Sequence, residues 1–79
     1  MNVLYFAQAR NLTGLPAETF DFTVPVNADE LWTALLQRHP DLVVLHPVTR
    51  LARNGEFAQS DTLFHPSDEV ALIPPVSGG

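Results

Sequence analysis

The chain has 79 residues, room for one small domain, and no cysteine, which excludes disulfides, thiolate metal sites, iron–sulfur clusters and a catalytic thiol. Hydrophobic residues make up 46% and charged residues 16%, a balance that favours a packed core over disorder. Nine acids against four bases give a net charge of −5, which disfavours a nucleic-acid surface, because phosphate neutralisation needs clustered cations.

Residues 2–7, Asn-Val-Leu-Tyr-Phe-Ala, form a short apolar run of β-formers and read as a strand buried on both faces. Gln8 to Thr13 reads as a short helical turn closed by Gly14, which can adopt the left-handed conformation that ends helices. Residues 19–24 alternate, with Phe20, Phe22 and Val24 on one side and Asp21 and Thr23 on the other, as in a half-buried strand. The period then changes. Asn27 is placed to cap a helix over 28–38, Glu30 to reach back to the cap, and Val26 to staple against Leu31. Leu31, Ala34, Leu35 and Arg38 share one side of that helix, with Trp32 and Leu36 widening the apolar stripe. Pro40 stops it, and 42–48, broken by Pro47, reads as an irregular packed connection.

Asn54-Gly55 is the strongest turn signal in the chain and predicts a hairpin of Arg50–Arg53 with Glu56–Gln59 through a type I′ turn. Pro66-Ser67-Asp68 marks another turn before a final apolar strand, 69–73. The order is β-β-α-β-β-β with one main helix. The most apolar strands, 2–7 and 69–73, belong at the centre as a parallel pair, with the half-polar strands towards the edges. That arrangement is an α+β, β-grasp body over residues 1–73, a mixed sheet crossed by one helix, followed by an extended, flexible tail over 74–79.

The tail is Pro74-Pro75-Val76-Ser77-Gly78-Gly79. Two prolines end the last strand and favour a stiff, extended exit. Two bare glycines alone would also fit a frayed end. The whole pattern, however, suits a terminus that threads a narrow channel into another protein's ATP site, where side chains would obstruct it. A carboxylate must be activated there, for example as an acyl-adenylate, before a nucleophile can attack it. Such a tail is a substrate for chemistry and performs none. All four bases are arginines (Arg10, Arg38, Arg50, Arg53), so an activated terminus meets no ε-amine on its own chain.

Val3-Leu4-Tyr5-Phe6-Ala7-Gln8-Ala9-Arg10-Asn11-Leu12-Thr13-Gly14, then Asn54-Gly55-Glu56, then Asp68 through Ile73 and the Pro-Pro-Val-Ser-Gly-Gly ending closely resemble the small sulfur-carrier subunits of molybdopterin synthases, over the whole chain and in the same order. The resemblance implies a cycle centred on Gly79. A ubiquitin-activating-type adenylating enzyme uses ATP to adenylate the Gly79 carboxylate, and a sulfur donor protein converts it to a thiocarboxylate. The large catalytic subunit accepts the tail (Pro74, Pro75, Val76, Ser77, Gly78), and the sulfur passes to cyclic pyranopterin monophosphate to build the dithiolene of molybdopterin. It also implies a heterotetramer of two small and two large subunits. The chain itself would bind no cofactor and act as a protein co-substrate, not a catalyst. Two alternatives stay open: a ubiquitin-like sulfur carrier for thiamine, tungsten-cofactor or tRNA-thiolation pathways, and a protein modifier or interaction module joined through Gly79.

Arg53, Leu72 with Ile73, and the His65-Pro66-Ser67 loop depart from the usual pattern of such subunits. Phe6, Val70 and Leu72 are mainly core, yet one sheet face has no helix to cover it, so they are the candidate docking residues. His39, His46 and His65 each neighbour a proline in a turn and form no metal motif, Trp32 reads as core, and Asp61, Asp68 and Glu69 as a solvated face that could meet a basic partner. No apolar run reaches the roughly 20 residues of a membrane span. With no basic region and leader at the N-terminus, a cytoplasmic protein with no membrane partner is expected.

Overall fold

The computed structural model of the chain describes residues 1–75. The expectations for Val76, Ser77, Gly78 and Gly79 lie outside the described residues. Within them run β1 (Asn2–Tyr5), α1 (Ala7–Thr13), β2 (Ala17–Thr19), α2 (Ala28–Arg38), β3 (Arg50–Arg53), β4 (Glu56–Phe57) and β5 (Glu69–Ile73). The five strands form one sheet in the order β2-β1-β5-β3-β4. β1 and β5 are parallel neighbours, with Val3 opposite Val70 and Tyr5 opposite Leu72, as the apolarity of these segments predicts. The remaining pairs are antiparallel.

α2 starts where the capping signal lies. The Asn27 side-chain oxygen accepts the Glu30 N–H at 2.8 Å, and the Glu30 carboxylate accepts the Asn27 N–H at 2.9 Å. This box satisfies two N–H groups that the first turn would otherwise leave without partners. Leu31, Trp32 and Leu35 are buried on its inner side. There they join Val3, Tyr5, Val70 and Leu72 from the sheet, with Leu42 and Phe64 from the connections. The segment after Pro40 forms two short 3-10 turns, Pro40–Val44 and His46–Val48, each with a proline in its first two positions. In the hairpin, Asn54 (φ 50°) and Gly55 (φ 86°) both occupy the left-handed region that a type I′ turn requires.

Several boundaries differ from the sequence reading, among them the start of α1 at Ala7 instead of Gln8. The first strand stops at Tyr5, because Phe6 caps α1 and Ala7 turns the chain with a positive φ of 49°. The strand expected over 19–24 is instead Ala17–Thr19. Past it, Phe20 is buried and Phe22 packs against the core, while Val24 is 61% exposed; Val26 then bridges to Phe64. The alternation therefore reports which side chains turn inward, not a continuing ladder. β4 is only two residues long, although the Ala58 N–H still reaches the Leu51 carbonyl at 2.8 Å. Pro74 is buried, so the folded body extends one residue past the expected end of the domain, and Pro75 is the first exposed residue of the exit.

Candidate functional site

Strand alternation divides each central strand between two faces. Val3 and Tyr5 of β1, and Val70 and Leu72 of β5, point towards α2 and are essentially inaccessible. Leu4, Ala71 and Ile73 point the other way. With Ala52 of β3, Phe57 of β4 and Phe6 they line an open, largely apolar groove of about 230 Å³ on the face no helix covers. The docking assignment of Val70 and Leu72 is thereby corrected: at 0% exposure they belong to the core. Phe6, 49% exposed, keeps its place on the open face. The positive φ of Ala7 helps to hold it there, since the chain leaves β1 abruptly and Phe6 is not drawn inward with Tyr5. Leu4, Ala52, Phe57 and Ala71 were missed in the sequence, yet a signal existed. Once Val70 and Leu72 are assigned inward, the period of two sends Ala71 and Ile73 outward.

The groove ends where the chain leaves the body. Ile73 lines it, Pro74 is buried and Pro75 is exposed. Of the predicted tail-threading residues, the structure therefore places Pro74 in the body and Pro75 at its edge.

The opposite end of β5 is tied to the hairpin by a reciprocal polar clasp. Asn54 donates to Asp68 Oδ1 at 3.0 Å and accepts the Glu69 N–H at 2.9 Å, while Asp68 Oδ2 accepts the His65 N–H at 2.8 Å. Burial works against ionisation of Asp68, but these hydrogen bonds and the nearby positive charge outweigh it and hold its carboxyl below the usual range. Asp68 is thus a structural residue. Arg53 donates to the Leu63 carbonyl at 2.6 Å, fastening the 58–64 loop to β3.

A second cluster lies at the β2 edge. Glu18 Oε1 accepts the Tyr5 hydroxyl at 2.7 Å and lies 2.8 Å from His39 Nε2, and Glu18 Oε2 is 3.3 Å from Arg38. Burial raises the Glu18 carboxyl, yet the Tyr5 and His39 hydrogen bonds and the charges of His39 and Arg38 bring it below its ordinary value. The Tyr5 hydroxyl moves far up, first through burial and then through Glu18. His39 thus joins α2 to the sheet edge, a role the sequence did not reveal. His46 stacks on Trp32 at 4.4 Å, so the histidines are dispersed. Among the described residues no group of three His, Asp or Glu side chains could hold a metal ion.

A mixed sheet with a parallel central pair, crossed on one face by a capped helix and open on the other, defines a β-grasp protein of the ubiquitin-like kind. The chain belongs to the ThiS family, whose model matches residues 3–79. A molybdopterin synthase sulfur carrier subunit from Homo sapiens is 37% identical over 82 residues, covering 100% of this chain and 93% of that protein. Among solved structures, a putative molybdopterin converting factor subunit 1 from Pyrococcus furiosus superposes with a TM-score of 0.81 at 25% identity, covering 95% of both chains. SAMP1 from Haloferax volcanii does so with a TM-score of 0.81 at 28% identity, covering 99% of this chain and 97% of its own.

Proposed function

We propose that this chain is the sulfur carrier subunit of a molybdopterin synthase and works in the cytoplasm. The observation that carries the reading is a likeness to subunits of that name at 37% identity spanning the whole chain. The match to the family reaches Gly79 itself. The Gly79 carboxylate is adenylated by a partner enzyme at the expense of ATP, with release of pyrophosphate. Sulfide-level sulfur released by a donor protein then displaces AMP from the acyl carbon, leaving a thiocarboxylate. The open face (Leu4, Phe6, Ala52, Phe57, Ala71, Ile73) docks on the large catalytic subunit. Pro74 and Pro75 direct Val76 to Gly79 into that subunit's site, where the sulfur passes to cyclic pyranopterin monophosphate. Two large and two small subunits make up the assembly. The body contributes docking and direction; the chemistry at Gly79 is done by groups of other chains.

Past Pro75 four extended residues reach at most about 14 Å, so removing one withdraws the carboxylate by about 3.5 Å. Deleting Gly79, or replacing Gly78 or Gly79 by Val, is expected to abolish thiocarboxylate formation or sulfur transfer and leave thermal stability unchanged. Intact-mass analysis after incubation with the activating enzyme, ATP and a sulfur donor reads the exchange of one oxygen for sulfur. Conversion of the precursor to molybdopterin reads the transfer. Wild-type turnover by the Gly79 deletion would overturn the reading.

A second reading, a protein modifier, has the likeness to SAMP1 in its favour, since a protein of that fold is named small archaeal modifier protein 1. It calls for conjugates in which Gly79 is joined to lysines of other proteins, visible as larger species in a denaturing gel. The higher identity to the carrier subunits favours the first reading.

A further inference from the structure

We propose that Arg50 is a specificity-determining residue of the docking face, set to receive a carboxylate of the large subunit beside the point where the tail enters it. The proposal rests on the reading of the chain as a carrier that docks through its open face. Arg50 opens β3 opposite Ile73, two residues before Ala52, and so shares the open face with both. Its guanidinium carbon lies 3.7 Å from the centroid of the Phe57 ring, which lines the groove. The stack fixes the planar guanidinium at the groove rim, leaving its N–H edges free to take a carboxylate in two parallel hydrogen bonds.

Arg50 differs in this from Arg38 and Arg53. Arg38 is committed to Glu18 and to the Thr19 carbonyl, and Arg53 to the Leu63 carbonyl. Arg50 has no carboxylate at ion-pairing distance among the described residues. By register, the charged residues that alternate onto the open face are Arg50 and Glu69. They stand at opposite ends of β5, about 13 Å apart at the strand's rise per residue. The face is therefore polar along its length, cationic where the chain departs and anionic at the far end. A body of net charge −5 draws basic surfaces without preference for orientation. An apolar groove with one cation and one anion at its two ends accepts a partner in one direction only. The partner that fits carries an apolar ridge with an acid near the tail channel and a base about one strand length away.

The test is titration of the molybdopterin synthase large subunit from the same organism with wild type and with Arg50→Ala, Arg50→Lys and Arg50→Glu. The expected result is wild-type binding, a loss of about tenfold or more for Arg50→Ala appearing mainly as faster dissociation, and a larger loss for Arg50→Glu. Arg50→Lys falls between, since an ammonium keeps the charge but not the stacked fork. The affinity of Arg50→Ala should also depend less on salt, and all three variants should melt with the wild type. Binding of Arg50→Ala and Arg50→Glu as tight as wild type overturns the proposal and leaves the carrier reading standing. A wild-type chain that fails to bind the large subunit overturns the carrier reading, and this proposal falls with it.

Discussion

The two faces of the sheet are built from the same strands and differ by one residue of register, yet one is sealed and the other is open. On the covered face Val3, Tyr5, Val70 and Leu72 meet α2 and have essentially no access to solvent. On the open face Leu4, Ala71 and Ile73 alternate with them and line a groove that stays accessible. A monomer with no use for this face would place polar side chains there, as antiparallel sheets with one solvated side commonly do. Small and mid-sized apolar residues instead keep the groove shallow and complementary to another apolar surface. The covered set carries stability, and on the proposed reading the open set carries partner capture.

The largest expected effect tests the first half of that assignment. Leu72→Ala removes a fully buried side chain from the centre of the covered face and should cost about 2–5 kcal/mol, read as a lowered midpoint in chemical denaturation. For a domain this small that is a large share of its stability, so tail chemistry should fail only because the body unfolds.

The polar edge of the covered face supplies the next effect, through pH. Glu18 is held below its ordinary value of 4.5, so the folded state binds its proton more weakly than the unfolded chain. That stabilisation is complete above 4.5 and is lost as pH falls through the folded value. Asp68 acts with the same sign. Tyr5 acts with the opposite sign: the fold keeps its hydroxyl neutral, so stability holds below its ordinary value of 10.0 and declines as pH rises past it. Glu18→Gln should flatten the acid limb of stability against pH, and Tyr5→Phe the alkaline limb. Denaturation curves on both sides of each value would show this, and an unchanged acid limb in Glu18→Gln would remove the carboxylate from the account.

A smaller effect sharpens the comparison by weakening the cover and sparing the groove. Asn27→Ala opens the capping box and should cost about 1 kcal/mol of stability. Capture of the large subunit at a temperature where the variant is folded should be unchanged.

What the sequence discloses and what it hides divides along similar lines. The capping box and the Asn54-Gly55 turn are local signals, each carried by a few neighbouring residues, and the central pairing of β1 with β5 follows from the apolarity of both segments; each is present in the structure. The second strand was displaced because alternation at Phe20 and Phe22 reports the direction of burial, whereas pairing depends on where a distant partner strand lies. The same limit hid the Tyr5–Glu18–His39 cluster, whose members are 13 and 21 residues apart. The reading of Gly79 as the reacting terminus rests on the composition of the tail and lies outside the described residues. The open face needed the register of four strands, and so Val70 and Leu72, though read as mainly core, were also offered for docking.

The smallest expected change in stability is the most informative about function. Phe57 is 52% exposed on the two-residue edge strand β4, where truncation leaves no buried cavity. Phe57→Ala should therefore alter stability by under about 1 kcal/mol, the loss coming mainly from the Arg50 stack. The same ring forms one wall of the groove and holds the guanidinium at its rim, so its removal takes away both apolar contact and the orientation of a charge. Partner binding should fall by at least as much as in Arg50→Ala, with adenylation and sulfuration chemistry at Gly79 intact once the chain is bound. Calorimetric unfolding and a binding titration on the one variant separate the two quantities. A Phe57→Ala protein that is markedly less stable but binds normally would show that both faces serve the fold, and the division of labour between them would be lost.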